Sequence, residues 1–190
     1  MRRWPLLAWL LASIVVAACG TPPNKEMDQA QGAIDAARAA GADRYATAEY
    51  ELATTALKLA TDAVAQRDYR LALNHALDSR ERAQNAARAA AENHARIRGE
   101  VERSMVEIAG GLAQANARLA GTSRVPRRVL TDARRTITQV NNDVQKADAA
   151  MKANDYLAAQ PLLTGVKERI DAVIASLDAG SPAQSPRRRP

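Results

Sequence analysis

Between Asn24 and Asp178 the apolar residues recur three and four positions apart, the spacing of a single helix face, and no stretch alternates with the period of two expected of a strand. A first helix is predicted after Asn24, which can cap it, with Met27, Ala30, Ile34 and Ala37 on its inner face and Gly41 closing it. A second carries Tyr45, Ala48, Leu52, Thr55, Leu59 and Ala63 on one face, with Glu49, Glu51, Lys58 and Asp62 outside, and ends near Arg67-Asp68. From Arg70 to Leu119 no proline intervenes, so one helix of roughly 75 Å is permitted at 1.5 Å per residue. Gly99 and Gly110-Gly111 are its weak points, because each Gly costs about 1 kcal/mol relative to Ala. Its second half carries a stronger stripe of Ile97, Val101, Met105, Ile108, Leu112 and Leu119.

Gly121 to Pro126 interrupts the pattern, and Pro126 is suited to start the next helix. The seam Leu130, Ala133, Ile137, Val140, Val144, Ala147 and Met151 then has coiled-coil spacing. It is matched by Ala159, Leu163, Val166, Ile170, Val173 and Leu177 on a partner helix whose first turns hold Pro161. These two are expected to pair antiparallel.

A weak internal repeat organises the chain. Thr55 to Ala87 reads as two helices meeting at Arg67-Asp68-Tyr69, and Asn142 to Ala172 repeats this around Asn154-Asp155-Tyr156. The gapless alignment also superposes Ala63 on Ala150, Ala72 on Ala159, Glu81 on Glu168 and Arg82 on Arg169. Asp68-Tyr69 and Asp155-Tyr156 are read as hairpin turns in which Asp caps the following helix and Tyr packs across the end, the competing reading being an exposed recognition surface. The expected fold is all-α: an elongated antiparallel helical bundle built from two helical hairpins sharing a long middle helix. An Ala-rich hairpin region spans 25–95 and a second bundle region 96–178. A compact bundle with the middle helix broken at Gly110-Gly111 is the alternative.

Composition thins this core without changing its class. Of 190 residues 47% are hydrophobic, yet the chain has no Phe and much of the apolar content is Ala. Each Ala contributes little at roughly 25 cal/mol per Å² of buried apolar surface, so stability must come from close helix packing over long seams. The formal charge of +6 is local, since Arg2, Arg3, Arg187, Arg188 and Arg189 lie at the two ends, leaving 22 basic against 21 acidic residues between them. With both Trp residues near the N-terminus as well, nucleic acid is not an expected partner.

Residues 1–18 read as a signal peptide: Arg2 and Arg3, then the apolar Leu6 to Ala18, too short to span a bilayer at about 20 residues. Val16-Ala17-Ala18-Cys19 resembles the lipobox of bacterial lipoproteins. The resemblance implies that Cys19 becomes the lipidated N-terminus. With Gly20 rather than Asp following, it also implies the periplasmic face of the outer membrane. A lone Cys in an exported chain can form no internal disulfide, which suits this use. Residues 19–24 form a short tether stiffened by Pro22 and Pro23. Residues 179–190, ending in Arg187-Arg188-Arg189, carry no apolar face and are expected to be a disordered basic tail.

Gly41-Ala42-Asp43-Arg44-Tyr45-Ala46, Ala48-Glu49, Leu52, Leu57 and Ala60, then Arg67-Asp68-Tyr69 with Ala72 and Ala76, resemble a family of bacterial envelope proteins, domain of unknown function 4398. The resemblance covers roughly Ala30 to Ala95. It implies Ala-rich helices joined by a Gly-Ala turn and a turn like Gly-Asp-Tyr, with Arg67 in the place of that Gly and Ala46 in a place where Pro is frequent. It implies a lipoprotein or envelope-associated protein and transfers no catalytic residue.

Little in the chain points to catalysis. There is no nucleophile elbow and no phosphate-binding Gly loop. His75 and His94, 19 residues apart, fall on different helix faces and cannot share a metal, and no cofactor is expected. The strongest non-structural signal is Arg118, Arg124, Arg127, Arg128, Arg134 and Arg135 around the 121–126 loop, opposed locally by Asp132. Such a cluster can contact an anion or an acidic partner. Equally, it can balance Glu100, Glu102 and Glu107 on the facing segment. The expected function is a membrane-anchored periplasmic lipoprotein serving as a structural or protein-interaction module. The alternatives are binding of an anionic envelope polymer, peptidoglycan or lipopolysaccharide, and a silent accessory subunit of an envelope enzyme or transporter.

Overall fold

The computed structural model describes residues 20–121 and 125–180. The leader, Cys19, Arg124 and residues 181–190 lie outside the described residues. Helices account for nearly all the rest: α1 (Asn24–Ala39), α2 (Ala42–Tyr45), α3 (Thr47–Ala65), α4 (Tyr69–Gly121), α5 (Arg127–Lys152), α6 (Tyr156–Leu163) and α7 (Val166–Gly180). No strand occurs among the described residues, and the fold is an all-α helical bundle with a long middle helix. The chain divides into two compact units at Asn93/His94, within α4.

In the first unit α1, α3 and the opening half of α4 pack through alanine. The inner face of α4 is Ala72, Ala76, Ser79, Ala83, Ala86 and Ala90, each 0% exposed. Opposite them α3 buries Tyr50, Ala53, Ala56, Ala60 and Ala63, and α1 buries Ala30, Ile34 and Ala37. Small side chains let helix axes approach to the short end of the usual 8–10 Å range. One bond records how close they come: buried Ser79 Oγ donates across the seam to the main-chain oxygen of Ala53 at 2.8 Å. Asn93 Nδ2 likewise donates to the Tyr45 carbonyl at 2.8 Å, and Arg38 Nε donates to the Tyr50 hydroxyl at 2.8 Å.

This seam corrects the face predicted for the second helix: Ala63 is buried and Tyr45 packs half-buried against the core, but the predicted residues between them are not turned inward. Leu52 and Leu59 are 52% and 44% exposed, and Ala48 and Thr55 also face outward. The stripe Tyr50-Ala53-Ala56-Ala60-Ala63 is turned inward instead. Leucine at the contact would hold the helices apart and forfeit the Ser79 bond and the alanine contacts along the whole seam.

The start of α1 also differs from expectation. Pro23, itself buried, occupies the capping position, and Asn24 is the first helical residue and makes no side-chain cap. At the other end Gly41 adopts φ 80° and donates to Arg38 O at 2.8 Å. A side chain there would be strained in the left-handed region and would crowd the Tyr45 ring, 3.3 Å from an added Cβ.

The second unit has a bulkier core. α4 supplies Ile97, Val101, Ile108 and Ala115, and α5 supplies Ala133, Ile137, Val140 and Ala147. α6 and α7 add Tyr156, Ala159, Leu163, Val166, Ile170, Val173 and Leu177. α4 passes Gly99 and Gly110-Gly111 without a break. At Gly111 the reason for glycine is contact, since an added Cβ would lie 3.0 Å from Ile170 Cγ2.

Two expectations fail in this unit. The partner of α5 is not one helix: Thr164 is extended and Gly165 takes φ 71°, separating α6 from α7. Pro161 has no N–H to bond back into α6, and glycine then admits the left-handed residue that restarts the chain as α7. The region expected to be disordered from residue 179 is helical through Ala179 and Gly180, with Gly180 close against Val125, whose Cγ1 would be 3.1 Å from an added Cβ.

Candidate functional site

The repeated turns are the best-defined local sites. After α3, Arg67 takes φ 60°, its N–H bonds to Val64 O at 2.9 Å, and Asp68 N–H bonds to Ala63 O at 3.0 Å. After α5, Asn154 takes φ 58°, with Asn154 N–H to Met151 O at 2.9 Å and Asp155 N–H to Ala150 O at 2.9 Å. Each aspartate then receives the N–H three residues on, Leu71 to Asp68 Oδ1 at 3.0 Å and Ala158 to Asp155 Oδ1 at 3.1 Å. The turns are therefore the same pair of motifs, a left-handed helix C-terminus followed by an aspartate N-cap.

Their tyrosines differ. Tyr156 is buried, edge-on to His94 with centroids 5.4 Å apart and with the Arg98 guanidinium 5.9 Å from its ring. A hydrogen bond from Arg98 to Glu102, and then the charge of Glu102, hold that guanidinium above its ordinary value. Tyr69 is half-buried.

The arginine cluster is only partly neutralised. Arg118 pairs with Asp178 on α7, and Arg135 lies 3.8 Å from Asp132. Glu100 and Glu102 are used within α4, by Arg96 at 2.9 Å and Arg98 at 2.7 Å, so they do not balance the loop. Arg127, Arg128 and Arg134 are exposed and form no ion pair among the described residues. Spacings of one, seven and eight put Arg127, Arg128, Arg134 and Arg135 on the outward side of α5, away from buried Ala133, Ile137 and Val140. Farther along that side come Asn142, Gln145 and Lys146, all exposed, while Asp143 bonds Arg169 at 2.6 Å.

Several shallow grooves occur. One of about 330 Å³ between α5 and α7 is lined by Asp132, Gln139, Arg169 and Ser176 among others. Another, of about 90 Å³, is formed by Glu49, Leu52, Arg82 and Asn85. No group of three or more His, Cys, Asp and Glu among the described residues is placed to hold a metal. No described helix is long and apolar enough to cross a membrane.

Sequence reasoning missed the exposed leucines. The available signal was competition between two stripes on α3, one of alanine with Tyr50 and one containing Leu52 and Leu59, and hydrophobicity favours the wrong one. Comparisons of the chain with models of protein families, with curated proteins and with solved structures gave no match.

Proposed function

We propose that this chain is a lipoprotein of the bacterial cell envelope, anchored through Cys19 at the periplasmic face of the outer membrane, and that it works as a structural or protein-interaction module. The sequence Val16-Ala17-Ala18-Cys19 and the resemblance over residues 30–95 support the address. The observation that carries the interaction reading is on α3, where alanines take the core and Leu52 and Leu59 stand at the surface seven residues apart, on one side of the helix. Photo-crosslinking residues placed at Leu52 and Leu59 should capture one protein partner in cells. Labelling no stronger than from Glu51 or Lys58 would count against the interaction reading.

A second reading is favoured by a separate observation, the unpaired arginines on the outer side of α5. Binding of an anionic envelope polymer there would weaken steeply with salt, whereas a contact through Leu52 and Leu59 would not. Purified protein bound to peptidoglycan or lipopolysaccharide and washed with increasing salt separates the two readings. Arg127→Glu with Arg134→Glu should abolish retention if the polymer reading is right.

A further inference from the structure

We infer that the turn between α3 and α4 is a membrane-docking face, and that Arg67, Tyr69, Arg70 and Leu71 meet the lipid headgroups around the anchor. This rests on acylation of Cys19, proposed above. The chain leading to that residue is not a free spacer. Pro23 is buried, Asn24 N–H bonds to Pro22 O at 2.9 Å, and an added Cβ on Gly20 would lie 4.0 Å from Tyr69 Cδ2. Gly20 therefore sits beside the turn, and a single peptide link, about 3.8 Å between Cα atoms, separates it from the Cys19 Cα. Acyl chains attached there enter the bilayer next to Tyr69, which brings this end of the first unit to the headgroups and leaves its side chains to hold it there.

The side chains suit that location. Arg67 and Arg70 are exposed and form no ion pair among the described residues, Tyr69 is half-buried, and Leu71 is 42% exposed. Cations are attracted to anionic headgroups, and amphipathic aromatic rings favour the interface.

The twin turn shows that folding alone does not ask for this set. With the same backbone bonds it carries Asn154, a fully packed Tyr156, the half-buried Leu157 and Ala158 in the corresponding places. Arg67 holds a left-handed conformation that Asn or Gly adopts more easily. Proximity to the α3 C-terminus favours its charge, but Arg70 stands in the first turn of α4, where the helix dipole disfavours a cation.

The test uses full-length protein produced with its leader and reconstituted in vesicles of phosphatidylethanolamine and phosphatidylglycerol. Acylation of the single native cysteine, read by intact mass, leaves an introduced one free for a nitroxide at Leu71→Cys or at Thr47→Cys at the far end of α3. Collisions with a water-soluble nickel chelate should fall several-fold at 71 relative to 47, with collisions with oxygen rising. Adding Arg67→Glu and Arg70→Glu should restore chelate access at 71 while acylation and helicity persist. Acylated protein with equal chelate access at 71 and 47 overturns the docking face alone. Unacylated Cys19 overturns the lipoprotein reading and this inference together.

Discussion

Enlarging one core alanine should weaken the first unit more than removing half-exposed leucines from its surface. In Ala83→Leu, three added carbons would be worth about 2.4 kcal/mol at roughly 0.8 kcal/mol per CH₂ if there were room. There is none. Ala83 is 0% exposed, and the bond from Ser79 Oγ to Ala53 O at 2.8 Å keeps that carbonyl within about 5 Å of the Ser79 Cα. Overpacking costs about 1–3 kcal/mol, and pushing α3 off α4 also strands the buried Ser79 hydroxyl at about 1–3 kcal/mol. A loss of about 2–6 kcal/mol follows, against less than about 0.5 kcal/mol for Leu52→Ala at its exposed position. Urea unfolding of the full chain followed by far-ultraviolet circular dichroism reads both. With a slope of about 1–3 kcal/mol per molar urea, the midpoint for the first unit should fall by more than 1 M, roughly, in Ala83→Leu and hardly at all in Leu52→Ala. The reverse order would refute the alanine seam and restore the leucine face.

Ile137→Asp or Leu163→Asp buries an unpaired carboxylate in the second unit and should abolish its cooperative melting, and an unchanged melting temperature and helicity would reject that core. Gly110→Ala, facing open space, should raise stability by about 0.5–1 kcal/mol through helix propensity, whereas Gly111→Ala should lose that gain against Ile170, which thermal melts of the pair can compare. Asp68→Ala and Asp155→Ala each remove an N-cap and should cost about 0.5–2 kcal/mol in denaturant titrations. Cys19→Ala should move the protein out of the membrane fraction, and its recovery there with membranes washed in carbonate would sink the anchoring proposal.

What the sequence determined by itself was local. Helix formation follows from Ala, Leu, Arg and Glu at three- and four-residue spacings. The two turns follow from Asp before a new helix, and their left-handed residues and caps are made by neighbours within six positions of one another. The start of α5 directly after Pro126 was equally legible, because proline's fixed φ suits the entry to a helix and not its interior. Tertiary structure decided matters that depend on a partner distant in sequence. Which stripe of α3 is buried was set by Ala72 to Ala90 and by Ser79, because close approach rewards alanine where a hydrophobicity pattern rewards leucine. The break at Thr164-Gly165 leaves α6 and α7 each packed on α5, although the three- and four-residue pattern runs on through it without a mark. The arginine cluster was visible as residues, yet its pairings were not. Asp178 takes Arg118 while Glu100 and Glu102 turn to their own helix, leaving Arg127, Arg128 and Arg134 without an ion pair among the described residues. Charge spacing along a chain records which groups exist, but their neutralisation depends on distances that only packing sets.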